Sequence, residues 1–322
     1  MNRLILAAGA AGLIASMAAP PPAAAQIQGL EIIVPAAPGG GWDQTGRAMQ
    51  SAMQEAGLAS GIQVVNIPGA GGTIGLAQFV SSKEGQGNAL MTGGLVMLGA
   101  ILTNESPVTL DQVTPIARLT GEYEAIVVPS NSDIQSLDDL IAKFKEDPAS
   151  VSWAGGSAGG TDHMLVGLIA KQVGVEPTGI NYVPFAGGGE ALAAILGGHV
   201  TAGVSGWEEF AGQVETGTLR ALALSSSERV EGIDVPTLKE QGVDVELTNW
   251  RAVFGPPGLS DEDKQALGDA VGQMVETDAW QNTLKERSWL DLYLPPDEFA
   301  QFLEQDSQQV ETVLQEIGLL QQ

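Results

Sequence analysis

The sequence lacks cysteine and is poor in histidine, with only His163 and His199 among its 322 residues. Without cysteine there is neither a disulfide framework nor a thiolate metal site. Two histidines cannot build a multi-histidine metal centre. We therefore expect a protein with no resident metal ion and no cofactor.

Basic residues are scarce as well. The chain has 14 Lys and Arg against 39 Asp and Glu, which gives a formal net charge of −25. Binding of nucleic acid or of an anionic lipid surface needs a basic face, so this composition disfavours both kinds of partner. A large charge of one sign favours a soluble protein, and we expect it to be a monomer.

Long apolar runs are confined to the beginning of the chain. Arg3 precedes an uncharged apolar stretch at 4–19, which is followed by prolines at 20–22 and alanines at 23–25. This order is typical of a secretory signal peptide with a small-residue cleavage site. The apolar stretch is short for a membrane span. We predict a signal peptide over residues 1–25 that is cleaved after Ala25; an uncleaved anchor is the alternative.

Short apolar runs alternate with helical patterns along most of the chain. Strands are predicted at, for example, 63–67, 89–91 and 125–128, with helices between them, and three helices follow one another over 260–317. This alternation is typical of βαβ units with parallel strands. A mature chain of about 300 residues exceeds the usual size of one core. We predict an α/β protein with two lobes, each a mostly parallel sheet flanked by helices.

Four glycine-rich segments each lie between a predicted strand and a predicted helix. We name them the first turn (34–41), the second turn (68–73), the third turn (155–161) and the fourth turn (183–189). The first and fourth share Val-Pro and a glycine triplet, and the second and third share Ala-Gly-Gly-Thr. One member of each pair falls in the first third of the chain and the other in the middle third, so we expect two turns from each lobe.

The glycine turns predict an anion site made from main chain alone. In an open parallel sheet, ligands bind at the carboxyl ends of the strands, where such turns lie. A helix begins with four N–H groups that lack intrahelical partners, and it carries a partial positive charge there. Glycine lets a ligand come close to the backbone. None of the four turns contains lysine or arginine, yet backbone donors can hold an anion in an acidic protein.

Candidate ligand contacts come from the four turns and from two nearby strand ends. They are Ala37, Pro38, Gly39, Gly40, Gly41, Trp42, Asp43, Gly69, Ala70, Gly71, Gly72, Thr73, Thr92, Gly93, Ser157, Ala158, Gly159, Gly160, Thr161, Phe185, Ala186, Gly187, Gly188 and Ser205. Some also have an ordinary structural interpretation. Asp43 suits a first helical turn, Thr73 and Thr161 suit helix caps, and Trp42 and Phe185 suit a core.

The residues in the turns also resemble a known family. Residues 38–43 (Pro-Gly-Gly-Gly-Trp-Asp), 66–73 (Asn-Ile-Pro-Gly-Ala-Gly-Gly-Thr) and 197–200 (Gly-Gly-His-Val) are similar to motifs of the solute-binding proteins of tripartite tricarboxylate transporters, the TctC or Bug proteins. The similarity covers nearly the whole mature chain. Residues 153–157 and 187–190 are most similar to the tricarboxylate-binding branch.

The resemblance implies a type II-like periplasmic binding protein whose two lobes close on a small carboxylate. It implies delivery to a membrane permease of one large and one small subunit. It places a tricarboxylate such as citrate first among the ligands and a C4 dicarboxylate second. We place the crossings between lobes near 120–124 and 246–250, so that lobe one comprises 26–122 plus 247–322 and lobe two comprises 123–246.

A serine hydrolase is one alternative, although we expect no enzymatic activity. Residues 155–159 satisfy the G-x-S-x-G pattern, with Ser157 as nucleophile, Asp162 or Glu190 as acid and His199 as base. The turn is one of four similar turns, however, and the other three have no serine at that place. Two glycines also separate the strand from the serine, unlike the usual nucleophile elbow.

Two further alternatives remain open at this point. Residues 69–71 with Gly75 form a loose dinucleotide-binding pattern, but no well-placed acid follows about 20 residues later. A carboxylate sensor or co-receptor that takes no part in transport would have the same sequence features as a transport receptor.

Overall fold

The computed structural model describes residues 26–185 and 188–320. The predicted signal peptide over 1–25 therefore lies outside the described residues, as do Ala186 and Gly187 of the fourth turn. Within the described ranges, no helix is both long and apolar enough to cross a membrane.

The first part of the chain alternates strands with helices. Its elements are β1 (Ile27–Gln28), β2 (Glu31–Val34), α1 (Gly41–Glu55), β3 (Ala59–Ser60), β4 (Gln63–Asn66), α2 (Thr73–Ser82), β5 (Ala89–Gly94) and α3 (Leu95–Thr103). The second turn forms a short 3-10 helix, Ala70–Gly72, just before α2.

The middle part begins with a long strand and then alternates again. Its elements are β6 (Thr114–Pro129), α4 (Leu137–Glu146), β7 (Ser152–Gly155), α5 (Thr161–Val173), β8 (Asn181–Pro184), α6 (Gly188–Leu196), β9 (Ala202–Gly206), α7 (Trp207–Glu215) and β10 (Leu219–Leu224).

The last part returns to the first sheet. Its elements are β11 (Thr248–Gly255), α8 (Asp261–Val275), α9 (Asp278–Glu286), β12 (Leu290–Leu294) and α10 (Pro296–Glu316). The three tail helices fall where the sequence predicts them, whereas β12 is a strand that the sequence analysis missed.

The sheet runs in the order β4-β2-β5-β11-β6-β9-β7-β8, with β10 and β12 also paired to β6. Towards both ends the strands are parallel, as predicted: β4, β2 and β5 at one end and β9, β7 and β8 at the other. Around β6 the pairings are antiparallel. The reason is that β6 leads the chain out of one half of the sheet and β11 brings it back.

The strand β6 is much longer than the predicted strand at 125–128. Its 16 residues pair with β11 from Thr114 to Tyr123 and with β9 from Glu124 to Val127. A single strand therefore belongs to both halves of the sheet. The predicted crossing at 120–124 lies within it, while the exact lobe boundaries stay a prediction.

Apolar side chains separate into a core for each half. Lobe one packs around residues such as Phe254, Trp280 and Phe299. Lobe two has one cluster on each face of its sheet, and in one of them Phe144 meets Trp153 edge-to-face at 5.3 Å. Burying a side chain such as Phe144 contributes about 2–3 kcal/mol, so each lobe has a core of its own on which to hold a cleft.

Candidate functional site

A cleft of about 440 Å³ lies between the lobes, at the carboxyl ends of several strands. It is lined by twelve of the predicted residues: Ala37, Gly40, Gly41, Trp42, Gly69, Ala70, Gly71, Gly72, Ser157, Gly160, Thr161 and Ser205. A larger groove of about 1110 Å³ lies on the outside of lobe one beside α8. That groove has none of the four glycine turns, so we assign the site to the cleft.

Four helices begin at the cleft without a side-chain cap. Away from the cleft, Ser136, Ser260 and Thr277 cap α4, α8 and α9 with their own side chains, although Pro295 before α10 does not. At the cleft, α1, α2, α5 and α7 have glycine at the N-cap and no side-chain cap among the described residues: Gly40, Gly72, Gly160 and Gly206. Their first N–H groups are therefore left for another acceptor.

The first turn is held in shape by Asp43, which lies behind the cleft and does not line it. Its carboxylate accepts hydrogen bonds of 2.9 Å from Gly39 N, Arg47 Nε and Asn66 Nδ2. Burial alone would raise the pKa of Asp43, but these hydrogen bonds outweigh burial and lower it. Asp43 therefore braces the turn as a permanent anion, which is the structural interpretation left open by the sequence.

The second turn depends on glycine for its shape. Gly71 and Gly72 have φ of 61° and 96°, a region that side chains with a Cβ rarely enter. A Cβ on Gly72 would collide with the ring of Trp42, so the glycine allows Trp42 to wall the cleft. Thr73 does not cap α2; its hydroxyl donates to Ala70 O at 3.0 Å.

The third turn is fixed by side chains from below. Gly156 N donates to the carboxylate of Asp162, and Gly159 N donates to His163 Nδ1 at 3.2 Å. Tyr182 stacks on His163 at 4.0 Å and donates its hydroxyl to Gly156 O at 2.9 Å. Burial lowers the pKa of His163 to about 4, so its imidazole is neutral and acts as an acceptor.

Thr161 is buried at 1% exposure, and its hydroxyl has no partner within the described chain. It lines the cleft at the start of α5. Helix capping, the structural alternative for Thr161, is wrong, because Gly160 occupies the N-cap. The hydroxyl is available to a ligand.

The start of α7 reaches the cleft as well, while Ala186 and Gly187 of the fourth turn lie outside the described residues. Phe185 is absent from the described lining and packs on a lobe-two core, while Gly188 begins α6. Ser205 and Gly206 line the cleft at the end of β9, which lies directly beside β6.

Six other candidates also lie outside the described cleft lining. Thr92 and Gly93 are buried in β5, where they pair with Val253 and Ala252 of β11. The remaining four border the cleft residues in sequence without lining the cleft: Pro38, Gly39, Ala158 and Gly159.

A charged group that the sequence analysis missed forms the bottom of the cleft. Glu122 on β6 is directly opposite Asn249 on β11. Arg251 lies two residues after Asn249 and therefore on the same face of β11. We call Glu122, Asn249 and Arg251 the strand floor. Arg251 Nη2 pairs with Glu122 Oε1, and both side chains are about 95% buried, at 4% and 5% exposure.

The strand floor corrects the expectation of a site made from main chain alone. Arg251 also lies 5.0 Å from the ring of Trp289. Gly41 of the first turn lies so close to the Arg251 guanidinium that a Cβ on Gly41 would collide with it. A cation therefore reaches the first turn from β11, although no turn contains one.

Acidic groups are concentrated around the strand floor. Burial raises the pKa of Glu122 to about 7 although Arg251 favours its charged form. Burial also raises the pKa of Asp162 to about 6. Glu124 lies behind the cleft, where burial and then Asp162 hold its pKa well above the ordinary value. Both carboxyl oxygens of Glu124 are buried and have no hydrogen-bond partner within the described residues.

The residues of the hydrolase alternative are not brought together. Ser157 follows the carboxyl end of β7 and lines the cleft. His199 is exposed and precedes β9, whose other end reaches the cleft at Gly206. A five-residue strand spans roughly 16 Å, so His199 lies at the wrong end of the sheet to activate Ser157.

The two lobes touch on both rims of the cleft. On one rim, Glu208 of α7 accepts hydrogen bonds from Arg287 Nη1 at 2.5 Å and from Trp289 Nε1 at 2.9 Å. On the other rim, Gly99 of α3 is so close to Gly159 that a Cβ on Gly99 would collide with the carbonyl oxygen of Gly159. The two lobes are therefore in contact on either side of the cleft.

Two lobes joined by crossing strands, with uncapped helix N-termini converging on the cleft between them, define a two-lobed solute-binding protein. The sequence model named "Tripartite tricarboxylate transporter family receptor" matches residues 46–319. This chain belongs to that family, whose members are periplasmic binding proteins. The resemblance and the fold class expected from the sequence are confirmed.

Similar proteins cover almost the whole chain. Protein BugT of Bordetella pertussis is 28% identical over 99% of this chain and 98% of its own length. A TctC solute-binding protein from Polaromonas is 27% identical, with a TM-score of 0.67 over 89% of this chain and 98% of that one. MatC from Rhodopseudomonas palustris with bound malate has a TM-score of 0.79 at 23% identity, over 89% and 99%.

Proposed function

We propose that this protein captures a small carboxylate between its lobes and delivers it to a membrane permease of one large and one small subunit. The observation that carries the proposal is the set of four glycine-capped helix N-termini at one cleft. A charge-assisted hydrogen bond contributes roughly 1.5–3 kcal/mol. Five or six of them would give about micromolar affinity after the cost of holding the ligand.

The proposal includes where the protein works. The predicted signal peptide over 1–25 would direct the chain to the periplasm as a monomer. The lobes would be 26–122 plus 247–322 and 123–246, hinged where β6 and β11 cross. These assignments agree with the periplasmic location of the family.

The charge of the lining changes the order of candidate ligands. The sequence places citrate first and a C4 dicarboxylate second. Among the described residues that line the cleft, the carboxyl groups of Glu122, Asp162 and Glu209 stand against one cation, Arg251. A trianion would be repelled more strongly than a dianion by these carboxylates, so we place C4 dicarboxylates ahead of citrate. The malate bound to MatC is in keeping with this order, at the level of a shared fold.

A thermal-shift panel of mono-, di- and tricarboxylates tests the proposal. A true ligand at 100 times its Kd stabilises the folded state by about 2.7 kcal/mol, and calorimetry then gives its affinity. If no carboxylate raised the melting temperature while the protein was folded, the proposed function would be wrong. Neutral sugars of similar size serve as the control.

A further inference from the structure

Two buried polar atoms of the strand floor have no partner within the described chain. Arg251 Nη2 and Glu122 Oε1 pair with each other, which leaves Arg251 Nη1 and Glu122 Oε2 without hydrogen bonds. Both residues line the cleft, and they are 3% and 4% exposed. Buried polar atoms are almost always satisfied in proteins, so each of these requires an explanation.

The two unpaired atoms differ in their hydrogen-bonding role. Glu122 Oε2 is an acceptor on an acid, whereas Arg251 Nη1 is a donor on a cation. Asn249 Oδ1, directly across the strands from Glu122, is also unpartnered within the described chain. A fully anionic ligand would satisfy Arg251 and leave the two acceptors of the strand floor unpaired.

The charges facing the strand floor favour a cationic group beside the anionic one. Asp162 faces it from α5 and Glu209 from α7. Glu124 lies behind it on β6, where burial and then Asp162 raise its pKa well above the ordinary value. Glu208 of α7 is already paired with Arg287. With Arg251 paired to Glu122, the carboxylates around the cleft are in excess over cations.

We infer that the strand floor is an ammonium subsite and that the ligand is a 2-amino carboxylate. The ammonium group donates to Glu122 Oε2 and Asn249 Oδ1, and the neighbouring carboxylate accepts from Arg251 Nη1. The glycine-capped helices bind the remaining anionic part. This inference rests on the function proposed above and narrows its ligand class.

Two matched series of ligands test the inference on the full protein. The first is L-aspartate, L-malate and succinate, and the second is L-alanine, L-lactate and propionate. Each series differs only in an ammonium group, a hydroxyl group or hydrogen beside the carboxylate. We expect the amino member to bind about tenfold or more tightly than the other two, as a charge-assisted hydrogen bond to a buried carboxylate would give. Calorimetry at about pH 8 measures the ratio.

The pH dependence of ligand affinity tests the inference on the wild-type protein. Burial raises the pKa of Glu122 to about 7, and an ammonium ligand requires its ionised form. Amino-acid affinity should therefore increase from about pH 6 to about pH 8. Succinate affinity should not increase, because it gains nothing from a further negative charge.

Variants provide the second readout. Glu122→Gln keeps an acceptor but removes its charge, so the amino-to-hydroxy affinity ratio should fall to about threefold or less. Glu215→Gln, exposed at the end of α7, should leave the ratio unchanged. Circular dichroism verifies that both variants are folded.

The possible results distinguish failure of the ammonium subsite from failure of the proposed carboxylate-binding function. If succinate or malate bound as tightly as aspartate in the wild-type protein, the ammonium subsite would be wrong and the carboxylate receptor would stand. If no member of either series bound, and no other carboxylate did, the proposed function itself would fail.

Discussion

Glu124 offers a direct test of the acidic cluster behind the cleft, because its carboxyl group is completely buried. Its pKa lies well above the ordinary value of 4.5 through burial and then through Asp162. Folding therefore keeps a proton on Glu124 that the unfolded chain releases. Such a group contributes stability at low pH, and this contribution is lost as the pH rises towards its pKa in the folded protein.

The substitution Glu124→Gln removes this titration. Glutamine has the shape of the protonated acid and does not titrate. Between about pH 5.5 and about pH 7.5, the variant should therefore gain stability over the wild type as the pH rises, because the pKa of Glu124 is raised in the folded protein.

Urea unfolding followed by tryptophan fluorescence measures this difference, with the midpoint and slope compared at each pH. Glu215→Gln, an exposed acid at the end of α7, is the matched control and should follow the wild type. Wild-type and Glu124→Gln profiles that ran parallel across this range would refute a raised pKa of Glu124.

Three further substitutions test the cleft. Gly71→Ala places a Cβ against Ala100 at a φ of 61°, and we expect at least a tenfold loss of carboxylate affinity by calorimetry with the protein still folded. Gly99→Val places its side chain against Gly159 O and should hold the lobes apart, so ligand should no longer reduce the radius of gyration in X-ray scattering; an undiminished reduction would contradict the rim contact. Glu208→Ala removes the partner of two lobe-one side chains and should weaken binding several-fold, mainly through faster dissociation in stopped-flow experiments.

Local patterns predict much of the secondary structure, and half of the candidate residues line the cleft. Helix α5, Thr161–Val173, has such local signals, because a glycine-rich turn and Gly174 mark its ends. The first three turns each combine a strand end with a helix start, and residues of all three line the cleft. These signals lie within a few neighbouring residues, which is why sequence alone reveals them.

The strand floor was harder to predict because its members are far apart in the chain. Glu122 and Arg251 are separated by 129 positions, and only the pairing of β6 with β11 brings them together. A local signal for the strand did exist. Polar residues recur at every second position from Arg118 to Glu124, which is the period of a strand, but the analysis relied on continuous apolar runs.

The contribution of α7 to the cleft was only partly predicted. Ser205 was a candidate, whereas Gly206 and Glu209 were not, and all three line the cleft. The position of β9 directly beside β6 brings the start of α7 to this place. Strand order depends on long-range pairing, so composition could not have shown it.

The continuous course of β6 through both halves of the sheet has a mechanical consequence. Any rotation of one lobe against the other must bend β6 and β11 where they cross, and Glu122 and Arg251 lie at that point. A ligand bound to these two side chains would therefore restrict bending of β6 and β11 as well as contact both lobes. Ligand binding would change the angle between the lobes directly, and so the relative position of their outer surfaces.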